Sequence, residues 1–322
     1  MKLNKRQVIL IKQETTQGTP VTPSASTDAV PVLGDITCEI VPDFQKRDQR
    51  RASLDTQGAV IGGRWWHIHF TTEYKGSGTR GDATIAGYAG LDAALQACAQ
   101  TSASVASTSI TYAPTSSAAS ANYVGPGKSV TIEVYKDGQK SIAAGCLGTF
   151  KISLEAGKFG SIEFDFWGVY AEPTDVSIPT ITDAGPTPPV WMGATVTLMT
   201  VAALVIRKFE LDLAGTVAIR RDAQAATSVK GMVFTGREPK GTITIEAETV
   251  AVFNALNKLV GNTQASTAVS IGATSGNIVT LTMAKFQLTA VKETVEDELL
   301  LWALEFQANV NSGDDWLSWV TT

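Results

Sequence analysis

Gly76-Ser77-Gly78-Thr79-Arg80-Gly81 has the G-x-G-x-x-G spacing that lets a backbone approach a pyrophosphate when a strand precedes it and a helix follows at once. Here residues 81–87 intervene before the next helical stretch, so no helix N-terminus reaches the phosphates. The flanking strands read as antiparallel hairpins and not as βαβ units, so the segment reads as a flexible loop and no cofactor is expected. His67 and His69 are the only histidines in the chain, and their i,i+2 spacing puts both on one strand face, where such a pair can chelate a metal. The reading is a polar-facing pair without metal. No Ser/His/Asp arrangement with a nucleophile elbow is visible, and the carboxylates lie along strands at alternating positions, so the chain does not read as an enzyme.

Charge points to surfaces instead. Lys46, Arg47, Arg50 and Arg51 cluster within one polar stretch, interleaved with Asp43, Asp48 and Asp55, which suits a salt-bridged loop meeting a protein better than a grip on phosphates. Asp35 and Glu39, Glu163 and Asp165, Glu210 and Asp212, and Glu246 and Glu248 stand two apart on strands, with Glu73 ending another. These faces read as nearly free of basic residues, which fits either a solvated outer face or the lining of an acidic bore. The net charge of −5 at pH 7 disfavours a phosphate-binding surface but is compatible with letting nucleic acid pass.

The elements that carry these residues are mostly strands. Asp35–Val41, Trp66–Glu73, Phe150–Leu154, Ser161–Trp167 and Lys208–Leu213 alternate apolar and polar residues with period two. Val130–Tyr135 and the strand after Lys136-Asp137-Gly138-Gln139 form a hairpin with a strong Asp-Gly turn signal. Thr242–Ala247, Ile278–Met283, Phe286–Val291 and Leu299–Phe306 complete the set, and Leu91–Ala99 and Val250–Val260 read as short helices. Residues 1–30 read as an extended arm, 31–175 as a first domain, 176–200 as a proline-rich linker, and 201–322 as a second domain with a tail carrying Trp316 and Trp319.

The second half restates the first. Gln45-Lys46-Arg47-Asp48, then Gly62-Gly63-Arg64, then the strand His67–Glu73 are echoed by Ile219-Arg220-Arg221-Asp222, Arg237-Glu238-Pro239-Lys240 and Thr242–Glu248. A strand–helix–strand unit duplicated in one chain suits a ring, because two similar domains can occupy quasi-equivalent positions. Cys38, Cys98 and Cys146 have no metal-ligand spacing and read as reduced thiols folded in a cytoplasmic setting. The apolar run Val8–Ile11 is short of the ~7–15 residues of a signal-peptide core, and Val196–Ile206 is short of the ~20 of a membrane span. A protein without secretory leader or membrane contact is expected.

The order of these features resembles the major tail tube protein of long-tailed, siphovirus-type bacteriophages in its two-domain form. The resemblance is carried by Gln7–Pro20, Gly87–Cys98, Ser109–Pro114, Gly168–Asp175 and Ser275–Thr280. It implies a mainly β fold of two tandem duplicated β-sandwich or barrel domains, each flanked by one short α-helix, with an N-terminal arm and long inter-ring loops. It further implies a structural virion protein of the tail, assembled in the host bacterial cytoplasm, in which trimers with pseudo-sixfold symmetry stack into a tube for DNA ejection. Partners implied are other copies, the tape measure, tail terminator and distal tail proteins, and passing double-stranded DNA. By position, Phe44, Lys46, Arg47, Asp48, Arg50, Arg51 and Asp55, and in the second copy Arg220, Arg221, Asp222, Lys230 and Arg237, match the inter-ring loop. Strand spacing and tilt imply a bore roughly 25–40 Å wide, enough for a duplex of about 20 Å. The inner tube of a contractile tail or related injection machine is the alternative within this class. A two-domain β-sandwich adhesin or carbohydrate-binding module is the alternative outside it.

Overall fold

A computed structural model describes residues 3–82, 84, 87–181 and 185–322. The first two residues of the expected arm, part of the stretch after the glycine-rich motif (83, 85 and 86) and part of the expected linker (182–184) lie outside the described residues. The first half contains β1 (Gln7–Gln13), β2 (Ala29–Val30), β3 (Leu33–Gln45), β4 (Val60–Glu73), α1 (Ala89–Ala97), β5 (Gln100–Val105) and β6 (Ser109–Pro114). It continues with β7 (Val130–Lys136), β8 (Gln139–Glu155), β9 (Ser161–Tyr170) and β10 (Thr174–Asp175). The second half contains β11 (Val196–Thr197), β12 (Ile206–Asp212), β13 (Gly215–Arg221), β14 (Val229–Arg237) and β15 (Lys240–Glu246). After α2 (Ala255–Val260) come β16 (Gln264–Ile271), β17 (Val279–Glu296), β18 (Leu299–Asn309) and β19 (Ser318–Thr321). The fold is mainly β, as the alternating sequence requires.

Eight strands form one antiparallel layer in the spatial order β3-β4-β9-β8-β12-β15-β18-β17. Ile68, Phe70, Phe150, Ile152, Phe164, Phe166, Phe209, Leu211, Ile243, Leu304 and Phe306 point from this layer into a single core that runs through both halves. A second layer closes that core. In the first half it is built from β1, β7 and the start of β8, and in the second from β11, β16 and the start of β17. β8 and β17 therefore serve both layers, and each changes layer at a β-bulge. Ala144↔Val169 gives way to Leu147↔Trp167 in one, and Gln287↔Gln307 gives way to Ala290↔Glu305 in the other. One extra residue at the same place in each long strand re-aims the chain.

The duplication is thus topological as well as sequential. β3–β4, β4–β9, β8–β9 and β7–β8 recur as β12–β15, β15–β18, β17–β18 and β16–β17. The closing strands also recur, since β10 pairs with the start of β8 and β19 with the start of β17.

Two expectations are corrected. The arm over 1–30 contains β1, whose Ile9 and Ile11 are fully buried and whose every residue pairs with β7. Burial of four consecutive residues explains the unbroken Val8–Ile11 run, which a one-sided strand would not show. The proline-rich stretch is not a free spacer either: Val190 bridges Phe159, Trp191 is buried and donates to the Ser270 carbonyl at 3.2 Å, and Leu198 and Met199 lie in the core.

α1 is buried against β1 and β2, and Gly90 is required there because a Cβ would lie 2.4 Å from the Asp28 carbonyl oxygen. α2 is shorter than the sequence suggested, with Asn254 capping it through a 2.9 Å bond from the Asn257 N–H. In the tail, Trp319 packs on Tyr74, Tyr112 and Phe150, so its indole docks on this chain.

Candidate assembly interface

Cross-strand register determines which side chains share the outward face of the eight-stranded layer, because directly opposed residues point the same way. Glu39 faces His67, His67 faces Trp167, His69 faces Asp165, and Thr71 faces Glu163. Glu163 faces Lys151, Lys151 faces Asp212, and Asp212 faces Lys240. Glu210 faces Thr242, which faces Glu305. Glu39, Glu73, Glu163, Asp165, Glu210, Asp212 and Glu246 therefore lie on one continuous polar face. Asp35 sits in the irregular stretch where β3 and β4 lose register, and Glu248 lies beyond the end of β15.

The expectation that this face lacks basic residues is corrected. Lys151, Lys208, Lys240 and Lys292 point the same way, and Glu155 and Glu305 join the carboxylates. Lys151 alternates with buried Ile152 on β8, and the register of β8 with β12 brings it opposite Asp212. Carboxylates still outnumber lysines, and several are locally balanced. Lys208 lies 2.6 Å and Lys151 3.6 Å from Glu210. Burial pushes the Glu210 carboxyl up, but the two lysines outweigh it and hold it below the ordinary value. Arg207 bridges Glu246 at 2.9 Å and Glu296 at 3.5 Å, and Lys292 pairs with Glu305.

The two histidines converge on one oxygen. His67 Nε2 and His69 Nδ1 lie 3.0 and 3.2 Å from Asp165 Oδ1. That bond raises the His67 pKa despite burial, and holds the Asp165 carboxyl below its usual value. Among the described residues no group of three or more His, Cys, Asp and Glu is arranged to hold a metal ion. Burial raises the thiols of Cys98 and Cys146 well above the ordinary value and pushes Cys38 up to about 11, so none is a ready nucleophile.

At both ends of the layer, backbone hydrogen-bonding capacity is left over. Among the described residues, β3 is registered only against β4, and β17 from Leu288 to Glu296 only against β18. Ile40 on β3 is 42% exposed and Val295 on β17 is 68% exposed. Sequence reasoning missed both, since nothing in a strand's alternation says that its core-side residue lacks a neighbour.

The candidate loop residues fall into two hairpins with different surroundings. Phe44 is the penultimate residue of β3, and Lys46, Arg47, Asp48, Arg50, Arg51 and Asp55 lie in the exposed segment joining β3 to β4. Their second copy is a formed hairpin, β13–β14, lying across the first half of its own chain. There Arg221 pairs with Asp43 at 2.9 Å and stacks over Trp65, and Gln17 donates to the Met232 carbonyl at 2.6 Å. Arg237 reaches Asp314 at 2.6 Å, Lys230 pairs with Asp222 at 3.3 Å, and Arg220 lies between them on β13.

A duplicated sheet, a polar outward face and two sheet borders without a partner among the described residues thus occur together in one chain. The family model for phage tail tube proteins matches residues 4–314. The chain belongs to the phage tail tube protein family. No curated protein matches the chain. Membership makes this tail tube protein a structural component of the virion tail, which assembles with itself and with other tail proteins. No helix among the described residues of the tail tube protein is long and apolar enough to cross a membrane.

Proposed function

We propose that three copies of this tail tube protein close a ring by pairing β17 of each with β3 of the next, and that such rings stack into a DNA conduit. The observation that carries this reading is an internal precedent. Within the chain, β8 pairs with β12 through Lys151↔Asp212 to Glu155↔Lys208. The duplicates of those two strands, β17 and β3, are the two of the eight-stranded layer that lack a partner on one side among the described residues. Repeating the same junction between chains gives a closed sheet of three times eight strands with pseudo-sixfold symmetry, and closure removes edges that would otherwise invite aggregation.

On this reading the polar face lines the bore. Its carboxylates keep phosphates from binding, while the interleaved lysines bridge those carboxylates and so offer little for a polyanion to displace counterions against. Glu39, Glu73, Glu163, Asp165, Glu210, Asp212 and Glu246 are the proposed lumen residues. The β3–β4 connection bridges neighbouring copies, assembly takes place in the host cytoplasm, and the tape measure, terminator and distal tail proteins meet the tube along its axis and at its ends. No catalytic role is proposed.

Negative-stain electron microscopy of the concentrated protein tests the proposal. Hollow tubes or rings of threefold subunit content are expected; a monomer at every concentration and salt condition would sink it.

A further inference from the structure

The β13–β14 hairpin shows where a hairpin of this fold sits when its neighbour is present. It lies across the far end of the first half, with Met232 and Phe234 buried there, Gly215 N–H bonded to Thr149 Oγ1 at 3.0 Å and the Arg64 N–H bonded to the Thr227 carbonyl at 3.2 Å. The first-half hairpin, between Phe44 and Ile61, has no such seat. Phe44, Leu54, Val60 and Ile61 are all at least half exposed. Lys46, Arg47 and Arg50 take part in no salt bridge among the described residues.

The corresponding seat on the second half is open. Trp65 and Val169, which flank the occupied seat, correspond through the shared register to Lys240 and Gln307. At that place lies an open cavity of about 450 Å³ lined by Arg237, Pro239, Gln307, Val310, Asp314 and Trp316. Val310 is 60% exposed beside it. Glu238, two positions before Lys240 as Gly63 is before Trp65, is exposed and makes no salt bridge among the described residues, whereas Gly63 lies against the Arg221 guanidinium. An unpaired acid thus waits where the neighbour's unpaired bases would arrive.

We infer that the Phe44–Ile61 hairpin of one copy clasps the second half of the adjacent copy in the same ring, its basic residues meeting Glu238 and its apolar residues filling the cavity beside Val310. This rests on the ring proposed above and changes the loop's first duty from stacking rings to locking each ring shut.

A cross-linking pair separates the two ideas. Gln49→Cys with Glu238→Cys is bridged by a short bis-maleimide in assembled tubes, with each single variant as background for the native thiols. A lateral clasp links head to tail around a closed ring, so products stop at the trimer. A ladder extending beyond the trimer, as an axial contact would produce, overturns the clasp. The disulfide pair Ile40→Cys with Val295→Cys reports ring closure on its own. Trimers from that pair with no product from the hairpin pair also overturn the clasp while leaving the ring intact, and failure of the Ile40–Val295 pair to give trimers overturns the ring and the clasp with it.

Discussion

Ile152 and Leu211 lie directly opposite each other, both fully buried, across the seam where the two halves of the chain share hydrogen-bonded strands. The seam is therefore a packed interior and not a contact between finished domains. Leu211→Ala should lower stability by about 2–5 kcal/mol, the cost of a core cavity. Guanidinium denaturation followed by tryptophan fluorescence should show one transition at a lower midpoint. Separate unfolding of the second half would mean that the seam does not couple the halves.

The unfilled borders predict the opposite behaviour. Ile40→Lys and Val295→Lys alter side chains that already reach water in the single chain, so the melting temperature of the unassembled chain should stay within about 3 °C of the parent. Assembly should vanish, because a charge would have to be buried between copies. Light scattering and electron microscopy read the loss directly.

Gln45 and Val60 are directly opposed, so the residues between them can be replaced by an Asn-Gly turn without disturbing β3 or β4. The shortened chain should keep its far-ultraviolet circular dichroism and fail to form tubes. Tube growth at the parent's rate would show that this loop holds no copies together.

The His67–Asp165 contact gives stability a pH window. The folded pKa of His67 lies above its ordinary 6.5, so its contribution is complete below that value and fades as pH rises through the folded pKa. Asp165 lies below its ordinary 3.8, so its contribution holds above that value and is lost as pH falls through the folded pKa. Together they contribute most between about pH 4 and 6.5. Both side chains are more than a quarter exposed, and the total is at most ~1 kcal/mol after screening. In Asp165→Asn the His67 ring resonances should titrate closer to 6.5; an unchanged midpoint would remove Asp165 as the cause.

Strands solvated on one face were legible from alternation alone, as Ile162, Phe164 and Phe166 against Glu163 and Asp165 illustrate. Other elements obeyed rules that alternation cannot carry. β1 is buried on both faces and lost its period, so it read as part of an arm. β8 read as two pieces because the bulge between Ala144 and Leu147 resets the parity and Gly145 and Gly148 supply no side chain to follow. β13–β14 read as a loop because its burial comes from the first half of the chain, far away in sequence. The carboxylates of the polar face were found by spacing. Their lysine neighbours were missed because Lys151 and Asp212 meet only through register.

The two halves of the eight-stranded layer share a backbone but not its side chains. Where the first half sets His67 against Trp167, the second sets Thr242 against Glu305, at matching places in the same layer. Two genetically tethered modules are free to diverge, whereas six identical ones are not. In the proposed ring, a molecule threading the bore would meet aromatic, titratable staves alternating with small hydroxylic and acidic ones, a surface whose texture repeats every 120° although its backbone repeats every 60°.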